Sequence, residues 1–523
     1  MIRIRQIKMP INHTLEDIKR KISKKLNISE KKIKKIKINK KSIDARDNKV
    51  KYIYEVDIEI DNEQKIIKKK TKDTLITPDE KYKFNITGKE KIESRPVVVG
   101  SGPAGLFASY LLSKNGYNPI IIERGESIDE RVKTVEKFWK ENILNEQSNV
   151  QFGEGGAGTF SDGKLNTSVK DKNHRGKYIL KTFVKFGAPE EIIYINKPHI
   201  GTDLLRDVIK NMRNEIIKNG GTFKYNTCLK EINIKKGKIE SIKTNSETIK
   251  TNVLILAIGH SARDTFEMLK KTGIKMKPKP FAIGVRIQHP QSLIDKNQYK
   301  ENYKKLPKAT YKLTYKASSG RGVYSFCMCP GGFVVNSSSE KGMLSINGMS
   351  NHKRDEENAN SAIIVTITPE DFGNNPLDGI KYQRNLEKLT YKIGNGKIPI
   401  QLYKDFKENK KTKTLGHIKP IIKGKYTYSN LNNIFPPYII DSLKEAIDNF
   451  DKKIKGFADD DVILAAIESR TSSPIKIERD ETMQTNIKGI YPAGEGGGYA
   501  GGIMTAAMDG IKVAEAIANI YKP

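Results

Sequence analysis

The chain has 523 residues, of which 37% are hydrophobic and 30% charged, and its formal net charge is +33. We expect more than one domain, because single hydrophobic cores stop growing at roughly 250–300 residues. The apolar content excludes a disordered chain, and no run reaches the roughly 20 apolar residues that cross a bilayer. Three cysteines are too few for a disulfide framework, so we expect a reducing, cytoplasmic location.

Residues 1–93 are predicted to form a small basic α+β domain. A predicted helix over residues 14–26 begins at Thr14, and segments of alternating hydrophobicity around it predict strands. Twelve basic side chains and one acidic side chain, Glu30, lie between residues 18 and 41. Two interpretations stay open for this basic segment: a solvated surface, or a surface that binds a polyanion such as RNA.

Residues 94–280 are predicted to form the first part of a Rossmann-type domain. The apolar run 96–99 is typical of a buried strand, residues 104–116 have a helical pattern that ends in glycine, and residues 118–123 predict a second strand. This order is that of a βαβ unit with a parallel sheet. We expect the sheet to continue through the strand-like segments 222–225, 238–244 and 253–258.

Residues 281–475 are predicted to form an inserted α+β substrate domain with an antiparallel sheet. Segments 443–450 and 461–468 are interpreted as helices of this domain. Residues 476–523 then return to a buried strand and a helix, which close the Rossmann-type domain. The predicted fold class is therefore α/β: a Rossmann-type domain with a parallel sheet, an inserted α+β domain and a small N-terminal α+β domain.

The motif Gly100-Ser-Gly102-Pro-Ala-Gly105 stands between the first predicted strand and its helix. Gly100 allows a tight turn, Gly102 lets the backbone approach a pyrophosphate, and Gly105 lets the helix pack on the strand. The helix N-terminus offers free N–H groups to the phosphates. Glu123 ends the second strand, where a carboxylate accepts hydrogen bonds from ribose hydroxyls. These features together predict a bound dinucleotide.

The far end of the chain indicates which dinucleotide. The segment Tyr491-Pro-Ala-Gly-Glu495 resembles the closing FAD motif of glutathione-reductase-type flavoproteins, with Glu495 in place of the usual Asp. Residues 251–259 resemble the strand and turn before it in the same superfamily. The resemblance implies FAD, and NAD(P)H stays open as a transient electron donor. The predicted FAD-binding residues are Gly100, Ser101, Gly102, Pro103, Ala104, Gly105, Glu123, Arg124, Gly156, Gly158, Thr159, Ala257, Gly259, Gly494, Glu495, Gly501, Gly502 and Ile503.

A second glycine-rich stretch, residues 152–164, follows the βαβ unit. Consecutive backbone N–H groups in such a stretch can bind an anion. We expect it to lie over the flavin or the pyrophosphate, and a mobile surface loop is the alternative.

Several further segments resemble the bacterial FAD-dependent dehydrogenases that carry a small N-terminal domain. The matching segments include Cys327-Met-Cys-Pro-Gly-Gly332, Asn347-Gly-Met-Ser350 and Glu468-Ser-Arg470. The resemblance covers nearly the whole chain and implies the fold and FAD. It does not imply a substrate, because the family is grouped by its cofactor.

The expected function is that of a FAD-dependent oxidoreductase that transfers hydride between flavin N5 and an unidentified small-molecule substrate, with no membrane partner. One alternative is a FAD-dependent RNA- or tRNA-associated enzyme that docks through its basic domain, and another is a flavin-containing regulator without turnover. For Cys327 and Cys329, a structural role and a redox role both stay open. The candidate catalytic residues are His260, Arg263, Arg286, Cys327, Cys329 and Arg470, and His289 is a further candidate for substrate binding.

Overall fold

The computed structural model describes residues 1–46, 49–68, 72–167 and 169–523, and it begins with a small antiparallel sheet. The elements up to residue 93 are β1 (Ile2–Met9), α1 (Leu15–Leu26), β2 (Ile33–Asp44), β3 (Lys51–Ile60), α2 (Glu63–Lys68), β4 (Thr74–Ile76) and β5 (Glu90–Lys91). The sheet has the order β2-β3-β1-β4. Thr14 and Asp17 form a capping box at the start of α1, so the predicted helix is confirmed.

Residues 94–280 contain the βαβ unit. Their elements are β6 (Val97–Val99), α3 (Pro103–Lys114), β7 (Ile120–Ile122), α4 (Ile128–Glu141), α5 (Arg175–Lys185), α6 (Thr202–Lys218), β8 (Thr222–Lys224), β9 (Leu229–Lys235), β10 (Lys238–Thr244), β11 (Thr248–Lys250), β12 (Leu254–Leu256), α7 (Arg263–Lys271) and β13 (Met276–Pro278). The prediction that residues 238–244 continue the parallel sheet is wrong, since β9, β10 and β11 form a separate antiparallel sheet. The reason is the connection Lys236-Gly237, whose two positive φ angles (51° and 73°) make a tight hairpin.

The next segment builds a seven-stranded sheet with the order β15-β16-β19-β14-β23-β20-β22. Its elements are β14 (Phe281–Pro290), α8 (Gln291–Tyr299), β15 (Thr314–Lys316), β16 (Gly322–Cys329), β17 (Phe333–Asn336), β18 (Ile346–Met349), β19 (Asn358–Ile367), α9 (Pro369–Phe372), α10 (Asp378–Ile393), β20 (Ile398–Leu402), α11 (Tyr403–Lys407), β21 (Ile422–Lys423), β22 (Tyr426–Tyr428), α12 (Pro437–Asp451) and β23 (Ile463–Glu468). The helix predicted over residues 461–468 is wrong, because β23 lies there. All six of its residues are buried, so the alternation that marks a half-exposed strand is missing.

The last segment returns to the Rossmann-type domain. Its elements are β24 (Ile475–Ile477), β25 (Ile490–Pro492), α13 (Ile503–Ala518) and β26 (Tyr521–Lys522). The parallel sheet has the order β25-β12-β6-β7-β8, so the short strand β25 pairs with β12 and completes a sheet begun almost 400 residues earlier. Helices α3 and α13 pack together in one hydrophobic core, and the predicted α/β fold class is confirmed. No helix within the described ranges is long and apolar enough to span a bilayer.

The segment after the small sheet lies along α13. β5 pairs in parallel with β26, and the Tyr82 hydroxyl donates to Glu515 at 2.9 Å. The Glu80 carboxylate accepts from Arg3 of β1 and from Lys177 of α5, each at 2.5 Å. These contacts tie the small sheet to the Rossmann-type domain.

The turn after β6 leaves no room for a side chain on the first turn of α3. A Cβ added to Gly105 would lie 1.9 Å from the Gly100 carbonyl oxygen. We therefore expect Gly105→Ala to lower the free energy of unfolding by about 1–3 kcal/mol, because α3 must move away from the turn.

Urea unfolding of the two proteins measures this loss. The matched control is Gly322→Ala, since a Cβ at Gly322 meets its nearest atom, Thr366 Oγ1, at an ordinary 3.4 Å. Equal stability of the two variants would contradict the steric argument.

Candidate functional site

A cavity of about 350 Å³ lies where the parallel strands end and the seven-stranded sheet begins. Its walls combine the glycine turn after β6 with residues of the inserted segment, among them Phe326 and Asn347. Most predicted FAD-binding residues line it. They are Gly100, Gly102, Pro103, Ala104, Glu123, Arg124, Gly156, Gly158, Ala257, Gly259, Glu495, Gly501, Gly502 and Ile503.

Four predicted FAD-binding residues lie behind the cavity wall. The Ser101 hydroxyl donates to Glu123 at 2.7 Å, and the Gly494 N–H donates to Asp509 at 2.8 Å. Gly105 packs on the Gly100 carbonyl, and Thr159 is fully buried. The structure therefore places these residues where they shape the wall rather than where they face the cavity.

The glycine turn fits a pyrophosphate. Gly102 is the N-cap of α3 and Pro103 follows it, and no side chain caps this helix. A Cβ at Gly100 would lie 2.3 Å from the Ala257 carbonyl oxygen, and one at Gly156 would lie 3.0 Å from the Gly102 Cα. The backbone therefore approaches the cavity closely, with uncapped N–H groups and the positive end of the helix dipole.

Glu123 lies at the end of β7 with its side chain almost fully buried. One carboxylate oxygen accepts from the backbone and hydroxyl of Ser101 (2.9 and 2.7 Å), and the other accepts from the Gly125 and Gly153 N–H groups, both at 3.0 Å. All four acceptor positions of the carboxylate are thus used. A ribose hydroxyl would have to displace one of these donors, so ribose binding by Glu123 stays a prediction.

The sequence argument missed Arg131, which holds the glycine-rich stretch 152–164 in place. This fully buried guanidinium on α4 donates to the backbone carbonyls of Asn149, Val150, Gly153, Glu154 and Gly156 at 2.7–3.2 Å. Burial lowers its pKa to about 10. The stretch is therefore a fixed wall of the cavity. A mobile surface loop would lack these hydrogen bonds to a buried side chain.

The other end of the cavity meets the N-terminus of α13. Gly502 is the N-cap of this helix, and a Cβ at Gly501 or Gly502 would meet nothing within 4 Å. His260 faces the same region, with Nδ1 3.4 Å from Glu495 Oε2. Its Nε2 is buried and has no hydrogen-bond partner among the described residues. The histidine therefore has one nitrogen beside a carboxylate, while the protein encloses the other nitrogen.

Arg263 does not line the cavity, contrary to its prediction as a catalytic residue. It donates two hydrogen bonds to Glu387 at 2.8 and 2.9 Å and one to Glu340 at 2.5 Å. Arg470 lines the cavity, but it also binds Glu387, at 2.8 and 2.9 Å. The two arginines hold the pKa of the fully buried Glu387 well below its usual range, against desolvation. The Arg263–Glu387 pair joins the Rossmann-type domain to the inserted domain, whereas Arg470 and Glu387 both belong to the inserted domain.

Arg286 and His289 of β14 also lie away from the cavity surface. Arg286 is fully buried and donates to Glu468 at 2.9 Å. His289 has its Nε2 2.8 Å from the Phe457 carbonyl, and burial lowers its pKa to about 4. Their places in the core explain the conflict with the prediction, since sequence spacing does not tell which face of a fully buried strand meets a site.

Cys327 lines the cavity, and Cys329 is buried behind it. All three cysteines of the chain are free thiols. Lys164 joins them from the end of the glycine-rich stretch, where its ammonium donates to the Met328 carbonyl. No local signal singles out Lys164 in the sequence, because Met328 and the two cysteines lie more than 160 residues away.

The basic segment 18–41 lies on the small sheet. Lys34, Lys35 and Lys37 of β2 are exposed, and Lys41 forms a bridge to Ile195 of the Rossmann-type domain. The polyanion interpretation of this segment stays a prediction.

Family models match three parts of the chain. Residues 280–471 match the model of the FAD-dependent protein, C-terminal domain-like family, and residues 98–145 match that of the NAD(P)-binding Rossmann-like domain. Residues 1–59 match a domain of unknown function, DUF8436. Together with the glycine turn and the cavity, these matches define the class of the protein as that of FAD-dependent oxidoreductases.

An uncharacterized protein of Clostridium beijerinckii is 50% identical over 525 residues, which cover 99% of this chain and 98% of the relative. The chain belongs to the family of this relative. The resemblance predicted for this chain, to bacterial FAD-dependent proteins, is confirmed by the family models.

Solved flavoenzymes show weaker similarity. L-proline dehydrogenase from P. horikoshii is 15% identical, with a TM-score of 0.35 over 82% of this chain and 93% of that one. Glycine oxidase from Bacillus cereus is 10% identical, with a TM-score of 0.32 over 82% and 98%. Glycerol-3-phosphate dehydrogenase from Bacillus halodurans, complexed with FAD, is 11% identical, with a TM-score of 0.35 over 84% and 67%. Similarity at this level says nothing about the substrate.

Arg131→Met removes the hydrogen bonds that hold the glycine-rich stretch and leaves five carbonyls without this donor. We expect the free energy of unfolding to fall by about 3–5 kcal/mol and FAD to dissociate more easily. Differential scanning calorimetry and the rise of FAD fluorescence on dilution measure the two effects.

Arg206→Met is the matched control. The Arg206 guanidinium lies 5.1 Å from the centre of the same Phe160 ring that Arg131 contacts at 4.9 Å, and in the described structure it donates no hydrogen bond to the stretch. Equal FAD release from both variants would contradict the proposed role of Arg131.

Proposed function

We propose that the protein transfers hydride between FAD and a small-molecule substrate that binds in the cavity between the Rossmann-type domain and the inserted domain. The observation that carries this proposal is the shared wall: the glycine turns at the two helix N-termini meet Phe326, Cys327 and Asn347 in one cavity. When bound, FAD supplies hydride acceptance and donation at flavin N5. The inserted domain provides the side of the cavity where a substrate can lie.

The fit to FAD rests on the cavity's own features. Gly102 and Gly156 line the cavity with their backbones close together, since a Cβ at Gly156 would lie 3.0 Å from the Gly102 Cα, and the N-terminus of α3 favours a pyrophosphate there. The N-terminus of α13 has open space in front of Gly501 and Gly502, and its dipole favours negative charge. The two helix ends therefore support the two ends of one extended cofactor.

His260 is the residue best placed to move a proton during the reaction. Hydride transfer from an alcohol or amine requires a base, and a substrate that accepts hydride requires an acid. The His260 imidazole lines the cavity and can serve either role, with its Nδ1 3.4 Å from the Glu495 carboxylate. The candidate roles of Arg263 and Arg286 are withdrawn, because carboxylates already neutralise both side chains.

The function is tested by mixing the purified holoprotein anaerobically with NADH, NADPH and a library of metabolites. We expect at least one reductant to bleach the visible flavin band at a rate higher than the rate at which FAD dissociates from the protein. Bleaching by dithionite alone, with no response to any metabolite or nicotinamide, would contradict the oxidoreductase function and favour a regulator without turnover.

His260→Gln tests the proton-transfer role. We expect the rate of flavin reduction by the identified substrate to fall by about 10²–10⁴-fold, with the FAD content unchanged and the pH dependence of the rate altered. The control is His417→Gln, since the His417 side chain is 63% exposed and lies far along the chain in the inserted domain. A pH profile identical to that of the unaltered protein would rule out His260 as the acid or base.

RNA binding through residues 1–93 stays an alternative without a supporting contact. If it holds, affinity for tRNA at low salt should fall steeply as salt is added.

A further inference from the structure

The two cysteines of the Cys327-Met-Cys329 segment lie at a bulge in β16. Phe326 pairs with Ala362 of β19 and Cys329 pairs with Asn360. An interval of three residues on β16 therefore faces an interval of two residues on β19. Cys327 takes the left-handed backbone conformation at the bulge, with φ = 46°, which is costly for a residue other than glycine. The backbone is thus held in an unfavourable shape where these thiols meet the cavity.

The bulge brings the two thiols together. In a regular strand, alternate side chains stand about 6.6 Å apart, too far for a contact between thiols. Here the Cys329 thiol folds back and donates a hydrogen bond to the Cys327 carbonyl oxygen at 3.3 Å, and each thiol shifts the pKa of the other. Cys327 lines the cavity while Cys329 is fully buried, so one sulfur is accessible and the other supports it.

The surroundings of Cys327 hold more positive than negative charge. Arg286 is paired with Glu468 at 2.9 Å, and Arg354 is paired with Asp162 at 2.9 and 2.5 Å. Within each pair the carboxylate balances the charge of the arginine, and both carboxylates are almost completely buried.

Lys164 supplies the excess charge. Its ammonium lies 3.6 Å from Asp162, a carboxylate that Arg354 already neutralises. Among the described residues around the bulge, Cys327 is the group left to carry the balancing negative charge. Burial raises the pKa of Glu468, and protonation of that carboxyl would increase the positive excess further.

The same contacts act on the ionisation of the thiols. The interaction with the Cys329 thiol, followed by the charges of Lys164 and Arg286, lowers the pKa of Cys327 well below its usual value, against burial and the charge of Asp162. The same interaction and burial raise the pKa of Cys329. One thiol is therefore held as a thiolate and its neighbour as a proton-bearing thiol.

We propose that Cys327 and Cys329 form a redox-active pair that exchanges two electrons with the FAD, an inference that rests on the proposed function of this cavity. In the oxidising direction a sulfur–sulfur bond forms, and the S–H bond of Cys329 breaks. Two electrons and one proton pass to the FAD. The reduced cofactor therefore gains the one negative charge that the Cys327 thiolate loses. The free thiols of the structure are the reduced state of this pair.

Reductive titration of the holoprotein tests the pair. Dithionite is added anaerobically to the air-oxidised protein, and absorbance is followed until the flavin is fully reduced. We expect the unaltered protein to take up twice the reducing equivalents of Cys329→Ser, because a disulfide and a flavin each accept two electrons. Equal uptake per bound FAD in the two proteins would overturn the proposal. The result is counted per FAD, so a protein that binds no FAD would instead contradict the proposed function.

Thiol labelling tests the same proposal without a variant. The oxidised and the reduced holoprotein are acid-quenched, denatured and alkylated, and the peptide with Cys327 and Cys329 is weighed by mass spectrometry. We expect both residues to be alkylated only after reduction, whereas Cys228 is alkylated in both states and serves as the internal reference. Alkylation of all three cysteines in the oxidised protein would overturn the redox pair.

Lys164→Gln tests the charge that stabilises the thiolate. We expect the midpoint of the pH profile of Cys327 alkylation in the reduced, folded holoprotein to move to higher pH. Lys137→Gln, a change at an exposed residue of α4, should leave the midpoint unchanged. A profile that moves equally in both variants, or in neither, would remove Lys164 from the role.

Discussion

Through Arg263, which also donates to Glu340, the buried carboxylate of Glu387 links the two sides of the cavity. It stands on α10 of the inserted domain and accepts hydrogen bonds from Arg263 of α7 and from Arg470 after β23. A carboxylate with no solvent contact is stable only when it is paired and hydrogen-bonded, so the inserted domain cannot shift without separating these charges. The cavity wall, with Cys327 and Asn347 on it, keeps its place through this contact.

Two different devices make room for a cofactor. The turn after β6 does so locally, since the glycines at 100 and 105 let the backbones touch. The glycine-rich stretch opposite is fixed from outside by Arg131, which donates to three carbonyl groups within the stretch and to two just before it. A glycine-rich sequence is flexible by itself. Here a buried guanidinium turns that flexibility into one shape.

The sequence predicted the parts of the fold whose cause is local. The spacing of Gly100, Gly102 and Gly105 predicts the tight turn for a steric reason, and the capping box at Thr14 predicts the start of a helix. Contacts between distant residues left no local pattern, which is why Arg131 and Glu387 were missed.

Two predictions about strands were wrong, and each error has a physical cause. Strand β23 was misread because both of its faces are buried, and residues 238–244 left the parallel sheet through a two-residue hairpin. Arg263 and Arg286 were predicted as catalytic by residue type, yet their charge balances buried carboxylates.

The place of β25 and α13 has a consequence for biosynthesis. Helix α3 buries nearly all of its side chains, largely against α13, but the ribosome makes α13 almost 400 residues later. At roughly 5–20 residues per second, that interval lasts roughly 20–80 s. During it the nascent α3 has an uncovered apolar surface and the parallel sheet lacks its last strand. Chaperones can bind this surface of the newborn chain during the interval.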